Sequence, residues 1–128
     1  MATDLEDMKI LQEAETICDT LWDIVQTWDR FAQDTVGAQI VRAADSIGAN
    51  IAESYGRYHY GEKIQFLYYS RGSIFETKYW FRRCERRRLI PPDTVKTYAD
   101  QLEKLARGVN ALINSLRYQR KTNNNPKP

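Results

Sequence analysis

The chain has 128 residues, 42% hydrophobic and 28% charged, which is the size and composition of a single globular domain with a core of its own. No apolar run reaches the roughly 20 residues of a membrane-spanning helix. The acidic first residues lack the basic-then-apolar pattern of a secretory signal, so we expect a cytoplasmic protein with no membrane contact. Cys18 and Cys84 fit no metal-ligand spacing, and we interpret them as reduced, buried thiols.

The net charge of +2 is unevenly distributed. Residues 1–35 hold nine acidic and two basic side chains, a net −7, which leaves +9 for the rest of the chain. Two interpretations stay open. The charges either form solvated helix faces, or the acidic first helix meets a basic surface within one subunit or between subunits.

The first predicted helix runs from about residue 4 to residue 31. Its apolar residues form one stripe with alternating steps of three and four and a second stripe with steps of seven. The first stripe is Leu11, Ala14, Cys18, Leu21, Val25 and Trp28, and the second is Ile10, Ile17, Ile24 and Phe31. Together with Trp22, this surface is wider than a lone bundle can bury, which predicts an oligomer.

The second predicted helix runs from about residue 35 to residue 55. Asp34 or Thr35 is the expected N-cap, since a short polar side chain accepts hydrogen bonds from the first turn. Gly56 is expected just after the helix, in the left-handed conformation that often ends helices.

The third predicted helix runs from about residue 61 to residue 89 and is rich in aromatic residues. Its expected core face is Ile64, Leu67, Arg71, Ile74, Lys78 and Phe81. Pro91 and Pro92 end it, because proline lacks a donor and restrains the residue before it.

The fourth predicted helix runs from about residue 93 to residue 120, with Pro92 at its first position. Its seam is Val95, Tyr98, Leu102, Leu105, Val109, Leu112 and Leu116. No alternating strand pattern competes, and short links favour antiparallel neighbours. We therefore predict an all-α, antiparallel up-down-up-down four-helix bundle over residues 1–121, with a disordered tail over residues 122–128.

The second and third segments resemble the four-helix-bundle family of bacterial large-subunit ribosomal RNA intervening-sequence proteins. The matching residues lie in order over residues 39–76. They are Gln39, Arg42, Ala43, Ala44, Ser46, Ile47, Ala49, Asn50, Ile51, Ala52, Glu53, Gly56 and Arg57, then Phe66-Leu67-Tyr68, Gly72-Ser73-Ile74 and Glu76. The chain departs from the family pattern at Gly48, where the family has Pro, and at Ser54, where it has Gly.

This resemblance implies a homopentamer with a central channel. The proteins of this family have no established activity. It also implies kinship with the accessory proteins of diversity-generating retroelements, which bind a reverse transcriptase and its template RNA through a basic surface. A reverse transcriptase or another protein partner is therefore one alternative to a nucleic-acid partner.

The polar residues within the matching stretch are interpreted as a structural network rather than as a ligand site. If the second and third helices form a hairpin about residues 58–60, partners have numbers that sum to about 118. Buried charges are costly unless they are paired. Small Gly48 and Gly72 are expected to let the helices approach closely. The predicted network is Arg42, Asn50, Glu53, Arg71 and Glu76.

A catalytic function is not expected. The single histidine, His59, has no nucleophile with an orienting acid near it in sequence and cannot form a metal cluster alone, and we predict neither metal nor cofactor. The candidate nucleic-acid-binding residues are the basic run Lys78, Arg82, Arg83, Arg86, Arg87 and Arg88. Arginine suits phosphate, and Tyr79 and Trp80 are available to stack on bases. A solvated or intersubunit salt-bridged face is the alternative.

Overall fold

The computed structural model describes residues 5–123, and their side chains from Met8 onward. Over these residues it contains helices and no strand. Helix α1 is Leu5–Val25, α3 is Tyr60–Arg86 and α4 is Pro92–Asn123. Helix α2 covers residues 30–56 as three consecutive pieces, the α-helical Arg30–Ala32, the π-helical turn Gln33–Gly37 and the α-helical Ala38–Gly56.

The predicted all-α, antiparallel four-helix bundle is confirmed. The pairs α1 and α2, α2 and α3, α3 and α4, and α1 and α4 pack against each other. Helices α1 and α3 therefore occupy diagonally opposite corners. No helix within residues 5–123 is both long and apolar enough to cross a membrane.

Helix α2 begins earlier than the sequence suggested. Its N-cap is Asp29, whose Oδ1 accepts from the backbone N–H of Ala32 over 2.9 Å. The prediction of Asp34 or Thr35 as the cap was wrong, because the wide π-helical turn carries the helix through this polar stretch. The prediction for Gly56 was also wrong. No glycine has a positive φ, and the helix ends instead at extended Arg57, with φ −88° and ψ 147°.

The buried face of α1 lies between the two predicted stripes and takes residues from both. It consists of Ile10, Ala14, Ile17, Leu21 and Val25. Leu11, Cys18, Ile24 and Trp28 are partly buried at its edges. Because α1 ends at Val25, Phe31 belongs to the first turn of α2 and is 78% exposed. Trp22 is 53% exposed, so part of the predicted excess apolar surface does face outward.

The core face of α3 differs from the predicted one at two positions. Ser70 and Thr77 are fully buried, where Arg71 and Lys78 had been expected. Both faces alternate steps of three and four residues. From Leu67 the observed face steps first by three residues, whereas the predicted face stepped first by four. It reads Leu67, Ser70, Ile74, Thr77, Phe81 and Cys84.

The seam of α4 follows the prediction at every position but one, where Ile113 is buried and the predicted Leu112 is only partly so. Leu116 is buried as predicted, so the average spacing of the seam is unchanged. The helix continues to Asn123, so the predicted disordered tail does not begin at residue 122. Residues 124–128 of that tail lie outside the described residues.

Candidate nucleic-acid interface

Helix α3 ends in a tight cap that presents several arginines to solvent. The N–H of Leu89 donates to the carbonyl oxygen of Cys84 over 2.8 Å, and the N–H of Arg88 donates to that of Glu85 over 3.0 Å. This pair of bonds is a Schellman motif, which needs a left-handed residue just past the helix. Arg88 supplies it with φ 63°, the one positive φ at a non-glycine residue within residues 5–123.

Five arginines crowd this end of α3, and we call Arg82, Arg83, Arg86, Arg87 and Arg88 the arginine cluster. Four of them are exposed, and Arg83 is half-buried. Four, all except Arg87, line a shallow depression together with Glu85. Within residues 8–123 none of the five forms an ion pair with a carboxylate. Five cations gathered here against the single carboxylate of Glu85 create a local positive field that attracts anions.

Arg83 is the half-buried member of the arginine cluster. Its Nε is buried and has no partner among the described residues. Its guanidinium carbon lies 5.8 Å from the centre of the Tyr79 ring, a cation–π distance. Arg83 is also one of the residues that line the depression.

Lys78 belongs to a different surface from the arginine cluster. Its Nζ donates to Glu103 Oε1 on α4 over 2.8 Å. This hydrogen bond holds the pKa of Glu103 below its usual value. Lys78 therefore links α3 to α4, and the sequence grouped it with the arginines only because it is close in the chain.

The two aromatic residues predicted to stack on bases differ in exposure. Tyr79 is 50% exposed. Trp80 is half-buried, and its indole N–H donates to Glu76 Oε2 over 3.2 Å. The two rings meet edge to face with centres 4.9 Å apart. Tyr79 is thus the more accessible of the two.

The predicted polar network does not form. Arg71 turns to α4, where its Nη1 donates to Asn110 Oδ1 over 2.7 Å. Glu76 is occupied by Trp80, and exposed Arg42 has no ion-pair partner within residues 8–123. The numbering of the hairpin predicted which residues lie at the same height, but not the direction in which each side chain points.

The two other network residues bond within their own helix. The amide of Asn50 donates to the carbonyl oxygen of Ser46 over 2.9 Å. Glu53 accepts from Arg57 Nη2 over 2.8 Å, next to the Phe66 ring on which Arg57 rests. The five residues are therefore separate local contacts rather than one network.

Close helix contacts through glycine occur at other positions than predicted. A side chain at Gly72 would meet nothing within 4 Å, and one at Gly48 would make ordinary contacts. At Gly108, by contrast, a Cβ would lie 2.7 Å from Ile10 Cγ2, and at Gly37 it would lie 2.9 Å from the carbonyl oxygen of Ala32. These two glycines allow the close contacts of α4 with α1 and within the π-helical turn.

His59 precedes α3 at the cap position without a side-chain cap bond, and its ring meets Tyr58 at 5.4 Å. Among the described residues no group of three or more His, Cys, Asp or Glu is placed to hold a metal ion. Burial, with the carboxylates of Asp45 and Asp19 adding to it, raises the pKa of Cys18 to about 12. Burial raises that of Cys84 to about 11 against the opposing effect of Arg87. Neither thiol is activated as a nucleophile.

Sequence reasoning missed two polar contacts that join helices. Asn110 was not recognised as the partner of Arg71, and Ser70 was not recognised as a core residue. The sequence contains no decisive signal for Ser70, since Ser70 and Thr77 fit the three-four alternation of the surrounding apolar residues no better than Arg71 and Lys78 do.

Comparisons with known proteins agree with this architecture. The family model for the 23S rRNA-intervening sequence protein matches residues 6–111. A solved structure from Bacteroides thetaiotaomicron, described as a protein with unknown function from the S23 ribosomal protein family, is similar with a TM-score of 0.77. The two chains are 18% identical over 86% of this chain and 99% of the other, a likeness that shows the fold alone. No curated protein matches the chain. Because the family model spans most of the residues, the chain belongs to the 23S rRNA-intervening sequence protein family.

Proposed function

We propose that this protein is a non-enzymatic, oligomeric helical bundle that binds RNA or DNA through the arginine cluster at the end of α3. The observation that carries the proposal is the gathering of five arginines, four of them exposed, without a carboxylate partner within residues 8–123. Arginine binds phosphate through planar, paired donors, and a cluster of this density favours a polyanion over a single small anion.

Stabilisation of α3 alone does not account for the cluster. Cations near the last turn of a helix interact favourably with its dipole. That benefit applies to two or three residues within the last turn, and repulsion among neighbouring cations opposes adding more. A partner that supplies negative charge offsets this repulsion.

The position of α1 supports an oligomer as part of the proposal. Acidic α1 lies diagonally across the bundle from α3, so its carboxylates are not placed to neutralise the arginine cluster of the same subunit. Exposed Trp22 and Phe31 add apolar surface of the kind that interfaces cover. With the resemblance described above, we propose a ring of five subunits, which light scattering with chromatography tests as about five times 15.0 kDa.

Nucleic-acid binding is tested by replacing three of the exposed arginines, Arg82, Arg86 and Arg87, with Gln. The matched control replaces Arg107, Arg117 and Lys121 on α4 with Gln. Both triple variants change the formal net charge from +2 to −1, so they are matched in charge and lose it at different places. The control also loses the contact of Arg117 with the Tyr68 ring, 5.5 Å away. Binding of the parent should weaken steeply with salt. A plot of log affinity against log salt concentration has a negative slope. In the Arg82/Arg86/Arg87 variant this slope should be shallower than in the parent by about 2, and in the control it should equal that of the parent.

The outcomes separate the proposal from its alternatives. A parent protein that binds neither RNA nor DNA at low salt contradicts it. If the Arg82/Arg86/Arg87 variant falls to a smaller mass in light scattering, the arginine cluster is an assembly surface. Equal losses in the two triple variants would show that only total charge matters.

A protein-binding scaffold is the second candidate function. Exposed Phe31 and Trp22 favour it, because rigid aromatic rings are frequent anchors of protein interfaces. A reverse transcriptase encoded beside this gene would be the first partner to test by co-purification. Binding that survives high salt and is lost in Phe31→Ser would support this candidate over the nucleic-acid one.

A further inference from the structure

The outward face of α3 carries a row of aromatic rings that leads to the arginine cluster. Tyr69, Phe75 and Tyr79 are 48%, 64% and 50% exposed. Residues three or four apart are neighbours on the surface of a helix, so a series with these steps lies on one side. The series here is 69, 72, 75 or 76, 79, 82 or 83, and 86. This side faces away from the buried face that runs from Leu67 to Cys84. We call Tyr69, Gly72, Phe75 and Tyr79 the aromatic row.

Gly72 interrupts the aromatic row in the middle of a long helix. Glycine in a helix interior is destabilising relative to alanine, so such a position normally has a packing reason. Here a Cβ would meet nothing within 4 Å, and the residue is exposed. The missing side chain leaves an open gap between Tyr69 and Phe75, whose Cα positions lie about 9 Å apart along the helix axis at the usual rise.

Positive charge lies beside these rings. The guanidinium of Arg83 is 5.8 Å from the centre of the Tyr79 ring. The Nζ of Lys78 is 5.5 Å from that of the Phe75 ring, although its charge is paired with Glu103 on α4. Glu76 also lies on this side, where it is engaged by the Trp80 indole. The surface therefore offers flat apolar faces next to cations, with the arginine cluster at one end.

We infer that the aromatic row makes this protein a single-strand binder, in which bases stack on Tyr79, Phe75 and Tyr69 while the arginine cluster holds the phosphates. This inference rests on the proposed function and specifies its ligand. Single strands offer unpaired bases whose faces stack on aromatic side chains, whereas a duplex covers those faces. Charge complementarity argues for a polyanion as the occupant, because the cluster that continues the row has no carboxylate partner within residues 8–123.

The test compares a labelled single-stranded RNA of about 20 nucleotides and mixed sequence with the blunt duplex of the same sequence. The double variant Phe75→Ala/Tyr79→Ala removes two rings and leaves every arginine in place. Tyr118→Ala is the control, since this ring is 69% exposed on α4 and lies outside the row. We expect the parent to bind the single strand at least tenfold more tightly than the duplex. The double variant should lose about tenfold or more on the single strand alone.

Each outcome has a distinct meaning. Equal affinity for single strand and duplex, with no effect of the double variant, overturns this inference and leaves the proposed function intact. Failure of the parent to bind either RNA at low salt overturns both. If the double variant has a smaller mass than the parent in light scattering, the row is covered by a second copy of the chain, which also overturns the inference. Circular dichroism of the double variant checks that it remains helical. Phe75→Leu is a milder second variant, because leucine keeps the apolar area of the side chain but has no flat ring.

Discussion

The hydroxyl of Ser70 donates to the carbonyl oxygen of Ile47 over 2.9 Å, and both residues are fully buried. The bond joins the central parts of α3 and α2. Carbonyl oxygens have two lone pairs, so Ile47 can accept this bond in addition to the one that its own helix provides. A buried polar side chain is satisfied in this way without an unpaired group in the core.

Ser70→Ala should lower the free energy of unfolding by about 1 kcal/mol relative to a matched control, since one interhelical hydrogen bond is lost. The control is Ser46→Ala, whose hydroxyl bonds only to the carbonyl oxygen of Arg42 in its own helix. Both variants gain the same helix propensity, so their difference in urea unfolding isolates the contact between helices. Equal stabilities would show that this bond contributes nothing net.

The contact of Arg71 with Asn110 should couple α3 to α4. Arg71→Ala is expected to cost about 1.5 kcal/mol, because a hydrogen bond from a charged donor is lost and the guanidinium also rests on the Tyr68 ring, 4.9 Å away. A double-mutant cycle with Asn110→Ala should give a coupling free energy near 1 kcal/mol. Purely additive losses would place the two side chains apart in solution.

Arg88→Gly should raise the free energy of unfolding by about 1 kcal/mol, since glycine adopts the left-handed conformation without the Cβ penalty that Arg88 bears at φ 63°. Arg88→Ala removes the same charge but keeps the Cβ, and therefore should not stabilise. Thermal melts of the two variants measure the difference. A gain in the alanine variant equal to that in the glycine variant would instead assign the effect to charge repulsion.

Two glycine substitutions should act in opposite directions. Gly108→Ala is expected to lower stability by about 1–3 kcal/mol, because its Cβ would lie 2.7 Å from Ile10 Cγ2 and force α1 and α4 apart. Gly72→Ala should raise stability by roughly 0.5–1 kcal/mol, since the added methyl meets nothing and favours the helix. Urea unfolding of both variants checks the pair, and a loss at Gly72 would mean that another molecule covers this position in the free protein.

Both cysteines should resist thiol reagents at pH 8 in the folded protein and react once it is unfolded. Folding raises their pKa values from the ordinary 9.0 to about 12 for Cys18 and about 11 for Cys84. The folded state therefore keeps protons that the unfolded state loses, so stability is intact below pH 9 and falls as pH rises from 9 toward 11 and 12. Urea unfolding at pH 8 and pH 10.5 measures this fall, and Cys18→Ala should reduce it.

The fold was predictable because apolar spacing at helical periods is repeated in four segments with short links. The resemblance carried by residues such as Asn50 and Glu53 predicted the family as well. The exact faces were harder to predict. Arg71 and Lys78 fit the expected stripe of α3 as well as Ser70 and Thr77 do, and a small polar residue carries no hydrophobic signal. Only the three-dimensional neighbours decide which alternation is buried.

The arginine cluster was predictable as a group, whereas its connections were not. The sequence placed Lys78 with Arg82 through Arg88, but contact with Glu103 depends on how α4 returns along α3. The left-handed Arg88 also had no sequence signal, because glycine or asparagine normally takes that position. The exposed row from Tyr69 to Tyr79 could be recognised only once the buried face of α3 was known.

The wide turn Gln33–Gly37 has a consequence for how the chain tolerates changes in length. A π-type hydrogen bond encloses one residue more than an α-type bond, so this turn stores one extra residue while the helix continues on both sides. Removing exposed Asp34 or Thr35, rather than buried Val36 or tightly packed Gly37, would convert the wide turn into an ordinary one with little reorientation of either flank. Residues 34 and 35 are therefore where this bundle should tolerate a single-residue deletion without rearranging its core.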